Sequence, residues 1–164
     1  MTTADRPFAL ARALALLVPA GLMAGALGSQ FIGGLVPCEM CHWQRWPHYA
    51  AIALAILAFI APPTAPRRAL VALAALAVMT SGLIGVFHAG VEYHWWQGIT
   101  PCAATIGAAA SPDELLAHLV AGPVVRCDAP QWTLFGISLA GFNAIISLAG
   151  ALVILTLLTR KERA

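Results

Sequence analysis

Four cysteines carry the chemistry open to this chain. Cys38 and Cys41 enclose Glu39 and Met40 in a Cys-x-x-Cys pair, while Cys102 and Cys127 are widely spaced. A Cys-x-x-Cys pair can close a small disulfide, and where it opens a helix the helix N-terminus favours a thiolate. Arg45 follows Cys41 by one helical turn, which puts the two on one face. A permanent charge at the edge of an apolar run usually has a functional partner. Here the partner would be a thiolate at Cys41 and any anionic species beside it; the plainer reading is an interface arginine snorkelling beside Trp43 and Trp46. Cys102 and Cys127 read either as a structural staple or as an exchangeable disulfide that meets a soluble partner.

The same residues admit metal and haem readings. Cys38-Glu39-Met40-Cys41-His42 matches the Cys-x-x-Cys-His signature of c-type haem attachment, but a covalent haem leaves Cys102 and Cys127 without a role. His48 and His88 could face each other and ligate a b-type haem. Four cysteines could hold zinc, yet structural zinc uses clustered pairs and only one pair is clustered here.

Composition says where this chemistry takes place. Of 164 residues, 60% are hydrophobic and 10% charged, against about 25% charged in soluble domains. With a mean hydropathy of +0.83, the chain reads as an integral membrane protein. Apolar runs cover about residues 8–31, 42–61, 69–91 and 134–158, each near the ~20 residues that a helix needs to span the hydrocarbon core. Backbone satisfaction in lipid favours helices, and unbroken runs argue against a barrel. The second helix is expected from Cys41 onward, with Pro47 near its first turn, where a missing N–H costs little. The expected fold is thus all-α: a four-helix transmembrane bundle forming one domain over 1–164, with loops at about 32–41 and 92–133. Ser111-Pro112-Asp113-Glu114 reads as a capped start of a short surface helix running to about Val120.

Basic residues orient the bundle. Arg6, Arg12, Arg67, Arg68, Arg160, Lys161 and Arg163 fall on one side, against Arg45 and Arg126 on the other. The first side is expected to be cytoplasmic, with both termini there and all four cysteines facing outward, in a bacterium into the disulfide-permissive periplasm. The first run also has features of a signal peptide, but its apolar character persists beyond a usual signal core, so it is expected to remain as a helix.

Three stretches resemble the DsbB family of bacterial membrane oxidoreductases. Pro37-Cys38-Glu39-Met40-Cys41-His42-Trp43-Gln44-Arg45 is similar to its first redox loop. Gly90-Val91-Glu92-Tyr93-His94-Trp95-Trp96 resembles the end of its third helix, and the segment from Cys127 to Gly136 the entry into its fourth. The resemblance runs in order along nearly the whole chain and displaces the haem readings. It implies a thiol:quinone oxidoreductase of the inner membrane that reoxidises a periplasmic, DsbA-like thioredoxin-fold protein. The donor would attack Cys102 and release Cys127, exchange would pass the electrons to Cys38–Cys41, and Cys41 beside Arg45 would reduce ubiquinone or menaquinone. His88 or His94 would contact the quinone; no metal, haem or nucleic acid is implied. Vitamin K epoxide reductase-like proteins run related chemistry in reverse, but with a late rather than an early Cys-x-x-Cys. One departure is Gln44, where the family often carries an acid, which argues against an essential carboxylate there.

Overall fold

The computed structural model of the protein describes residues 6–62, 65–100, 111 and 125–160. Cys102 and the segment expected to form the surface helix, 112–120, lie outside the described residues. Within them are four long helices: α1 (Arg6–Phe31), α2 (Glu39–Ile60), α3 (Ala65–Glu92) and α4 (Leu139–Thr159). They pack as a ring in chain order, with α1 diagonal to α3. Three of them, α1, α3 and α4, are long and apolar enough to cross a membrane. The first half of α2 instead carries Glu39, His42, Gln44, Arg45 and His48.

The bundle inverts the pattern of a soluble protein. Leu17, Ile60, Leu83 and Leu152 are exposed on its outside. One end is closed by small residues that let the helices approach: Ala11 and Ala15 of α1, Ala55 and Ala58 of α2, Ala74 and Ala75 of α3, around Ile154 of α4. Arginines finish this end. Arg12 lies over the Phe59 ring at 4.4 Å, and Arg68 donates to the Leu158 carbonyl. Cys38, Met40, Val91 and Cys127 form the core of the opposite end, where all five tryptophans lie, as in the aromatic belt of a membrane interface.

Two boundaries differ from the sequence expectation. Helix α2 begins at Glu39 rather than Cys41, because the Cys38 sulfur itself caps it, accepting from the Cys41 N–H at 3.2 Å. Pro47 therefore lies inside the helix and not in its first turn. The fourth helix begins at Leu139, after a small antiparallel hairpin in which β1 (Thr133–Leu134) pairs with β2 (Ile137–Ser138). Its two-residue turn, Phe135-Gly136, has φ of 51° and 78°, the positive values that a type I′ turn requires. Ser138 then caps α4 by accepting from the Gly141 N–H. The Tyr93 hydroxyl donates to the Gly136 carbonyl and accepts from the Ser138 N–H, fastening the hairpin to α3.

Helix α3 ends in a Schellman motif. The Trp95 N–H reaches back to Gly90 O at 2.8 Å and the His94 N–H to Val91 O at 3.1 Å, with His94 left-handed at φ 58°. Trp96 then folds onto Gly90, stacks on Phe87 and donates to the Phe87 carbonyl. A Cβ at Gly90 would stand 2.0 Å from Trp96 Cζ2. Gly90→Ala is therefore expected to cost about 1–3 kcal/mol, since the indole must swing out and lose both contacts. Thermal unfolding in detergent measures this, and an unchanged melting temperature would rule out the packing of Trp96 on Gly90.

Candidate active site

Helix α2 presents the cysteine pair on its first turn. The Cys38 and Cys41 sulfurs are 2.8 Å apart. Cys38 is buried; Cys41 is partly exposed. The hydrogen bond between them pushes the Cys38 thiol well above its ordinary range, and burial adds to this. The same bond holds Cys41 below its ordinary value, with help from the Arg45 charge and against burial and the Glu92 charge. Of the two sulfurs, Cys41 is the one whose surroundings favour the thiolate. A stabilised thiolate favours the reduced pair and so makes its disulfide the more oxidising. Arg45 is tethered to α1, donating to Gln30 Oε1 at 2.6 Å and to the Ala26 carbonyl at 3.3 Å. The sequence put its charge beside Cys41; its anchoring to α1 is new.

Cys127 packs into the same buried cluster as Cys38. Its segment is stiffened by Arg126, which grips Asp128 with two hydrogen bonds of 2.8 and 2.6 Å and holds that carboxyl below its usual range. One residue of the widely spaced pair is therefore delivered to the clustered pair. The other, Cys102, lies outside the described residues.

A cavity of about 340 Å³ opens beside these sulfurs. Gly21, Gly25 and Ala26 of α1 and Phe142 and Ile146 of α4 wall it, and Cys41, Arg45 and His48 reach it from α2. Apolar walls with a few convergent polar groups are the usual construction of a small-molecule site, and the volume lies at the lower end of the ~300–1,000 Å³ range.

The family model of disulfide bond formation protein DsbB matches residues 8–157. The chain belongs to the DsbB family. No curated protein and no solved structure matched it. Membership makes the chain a membrane disulfide oxidoreductase, and the cysteine end of the bundle is where a DsbB protein of this geometry can do thiol chemistry.

The two histidines singled out in the sequence have different surroundings. His94 is exposed, serves as the left-handed residue that ends α3, and is not among the residues lining the cavity. His88 is fully buried and lines the cavity, with Nε2 3.5 Å from Cys38 Sγ and 3.7 Å from a Glu92 oxygen. His42, which the c-type haem reading needs, is exposed. His48 and His88 both line the cavity, and each is engaged by an amide side chain, Asn143 and Gln44 respectively.

Those amides belong to a buried polar network that sequence reasoning missed. Asn143 of α4 donates to Gln44 Oε1 at 2.7 Å and to the Ser81 carbonyl at 3.2 Å. Gln44 meets His88 Nδ1 at 2.7 Å and the Met40 carbonyl at 3.3 Å. His48 Nε2 and Ser147 both meet Asn143 Oδ1. Glu92 is held by Ser138 through a short hydrogen bond. A signal was available: Ser81, His88 and Glu92 recur at helical spacing along one apolar run, as do Asn143 and Ser147 along another.

Cys38, Cys41 and His88 bring one ligand atom each within 4.8 Å of one another, a trio that could in principle grip a metal ion. The ring chemistry opposes this. A ligating histidine donates its other N–H to an acceptor, whereas the nitrogen facing away from the sulfurs here meets an amide NH2.

Proposed function

We propose that this DsbB-family protein is a thiol:quinone oxidoreductase of the bacterial inner membrane. It takes electrons from a periplasmic, DsbA-like thioredoxin-fold protein and delivers them to a membrane quinone. The observation that carries the reading is the Cys41 sulfur on the wall of an apolar cavity, which Arg45 also lines, packed against the cluster that holds Cys127. In this reading α2 is the fourth span; Gln44 and His48 of its polar half are buried and hydrogen-bonded to α3 and α4, as lipid favours for polar groups in a span. Both termini are cytoplasmic and the cysteines periplasmic, in keeping with the arginine end and the tryptophan end of the bundle.

The residues fit a quinone. Its flat apolar ring matches the Gly21, Phe142 and Ile146 walls, and its carbonyl oxygens need donors of the kind that Arg45 offers. When bound, a quinone supplies a two-electron, two-proton acceptor. The chain's own part is thiol exchange. The donor's thiolate attacks the Cys102–Cys127 disulfide at Cys102, forming a mixed disulfide and releasing Cys127 as a thiolate. Cys127 attacks Cys38 in the Cys38–Cys41 disulfide, and Cys41 leaves as a thiolate beside Arg45. The donor's second thiol then frees Cys102, and Cys102 attacks Cys127, restoring their disulfide and releasing Cys38. The electrons now rest on the Cys38–Cys41 dithiol, and they leave as it closes again at the cavity wall. Each step suits a thiolate attacking an accessible disulfide.

The test is quinone reduction by the purified protein, driven by a reduced DsbA-like donor. Turnover with ubiquinone or menaquinone is expected. Folded protein with four intact cysteines that turns over neither would refute the reading.

A further inference from the structure

Backbone carbonyls only accept hydrogen bonds, and two of them set the direction of the whole buried network. The Met40 carbonyl lies 3.3 Å from one end of the Gln44 amide, so that end is the NH2. The Ser81 carbonyl likewise fixes the NH2 of Asn143. The assignments agree with each other, because the Asn143 NH2 then meets the Gln44 oxygen at 2.7 Å. With its NH2 committed, Gln44 can only donate to His88 Nδ1, 2.7 Å away. That nitrogen is therefore bare, and the neutral ring carries its hydrogen on Nε2. This N–H faces Cys38 Sγ at 3.5 Å.

We propose, resting on the exchange sequence above, that His88 is a catalytic hydrogen-bond donor to the Cys38 sulfur, and that Gln44 and Asn143 are positioning residues that lock its tautomer. While Cys41 is the thiolate, Cys38 keeps its proton and donates. When a bond to Cys38 breaks, Cys38 must itself hold the charge until a proton reaches it. It does so as the leaving group when Cys102 attacks Cys127: the Cys102–Cys127 bond forms, the Cys127–Cys38 bond breaks, and the electron pair stays on Cys38. A buried thiolate is costly without donors. Two are in place, the Cys41 N–H at 3.2 Å and His88 Nε2–H. A donor that faces the leaving sulfur makes it a better leaving group and the exchange faster. Around Cys38 are Cys41 and Cys127 in its buried cluster, and Arg45 of α2, His88 and Glu92 of α3 and Arg126 along the cavity that it lines. Among these only His88 combines burial with a side-chain N–H directed at the sulfur. Two acceptors compete for this N–H: the Cys127 backbone carbonyl, and Glu92, 3.7 Å from Nε2 and occupied by Ser138.

The test needs neither quinone nor donor protein, so its failure is distinct from a failure of turnover. In the full chain with Cys41, Cys102 and Cys127 replaced by serine, the rate of Cys38 alkylation by iodoacetamide is followed against pH. The cavity that Cys38 lines gives the reagent access. His88→Phe is expected to raise the midpoint by about one pH unit, a ~tenfold slower reaction at neutral pH. His88→Gln, which keeps an N–H, should restore at least half of the shift. An unchanged midpoint in folded His88→Phe, or a His88→Gln variant no better than it, overturns the proposal. The wild type gives a check free of folding risk. Ring-nitrogen NMR of labelled His88 is expected to show a bare Nδ1 and a protonated Nε2; a protonated Nδ1 overturns the proposal.

Discussion

Cys41→Ser is expected to lower donor-driven quinone reduction by at least about a thousandfold, the scale of losing a nucleophile for which no neighbour can substitute. The reason lies in how the pair divides its labour. The Cys38 hydrogen bond and the Arg45 charge favour a thiolate at Cys41, which borders the cavity. A serine hydroxyl at the same place keeps the shape but carries no charge at neutral pH and forms no disulfide with Cys38. The variant should still exchange with the donor through Cys102 and Cys127, oxidising about one equivalent and then stopping. Quinol formation followed by absorbance, with the donor's redox state read on a gel after thiol trapping, separates the two steps. Sustained turnover would mean that electrons do not leave through Cys41. The pH dependence has a defined sign: because Cys41 lies below its ordinary thiol value, its thiolate persists to lower pH than that of an unperturbed thiol. The rate should fall only as the pH drops through that lowered value.

The first link in this chemistry was legible in the sequence, and the reason is local. A helix start, a Cys-x-x-Cys pair and an arginine one turn on are all set within eight residues, Cys38 to Arg45. Apolar runs likewise located the helices, because a lipid-facing surface leaves little room for polar residues. What failed to show was set by contacts between runs. Leu134 and Phe135 read as the start of the fourth helix because both are apolar. Only the positive φ at Phe135 and Gly136, fastened by Tyr93 just after α3, makes them a hairpin. His94 read as a candidate ligand of the site, and the structure uses it to end α3. Gln44 was noticed only as a missing carboxylate. Its importance comes from Asn143, 99 residues away in the chain, and no periodicity within one helix reports such a pair.

That contact makes Gln44→Leu the substitution expected to destabilise the fold most. Leucine matches the volume but deletes both ends of the amide. His88 Nδ1 and the Met40 carbonyl lose a donor, and one Asn143 N–H loses its acceptor. Hydrogen bonds between membrane helices average only ~0.6 kcal/mol each, because polar groups find other partners when the helices separate. The larger cost is that Gln44, 7% exposed, and His88, 1% exposed, are shielded from bulk solvent. Leaving a buried donor or acceptor unsatisfied costs about 1–3 kcal/mol, so a total of about 2–4 kcal/mol is expected. Asn143→Leu alone should cost a similar amount. The double variant should cost less than the sum of the two by about 1 kcal/mol or more, since the second change removes a group that the first has already orphaned. Thermal unfolding in detergent of the wild type, both single variants and the double measures the coupling. Strict additivity would mean that the two amides do not act as one unit. The Cys38-only alkylation assay should move with Gln44→Leu as well, because a His88 ring freed from its lock no longer holds its Nε2–H on the sulfur. A stability loss with no change at Cys38 would confine the network to holding the helices together.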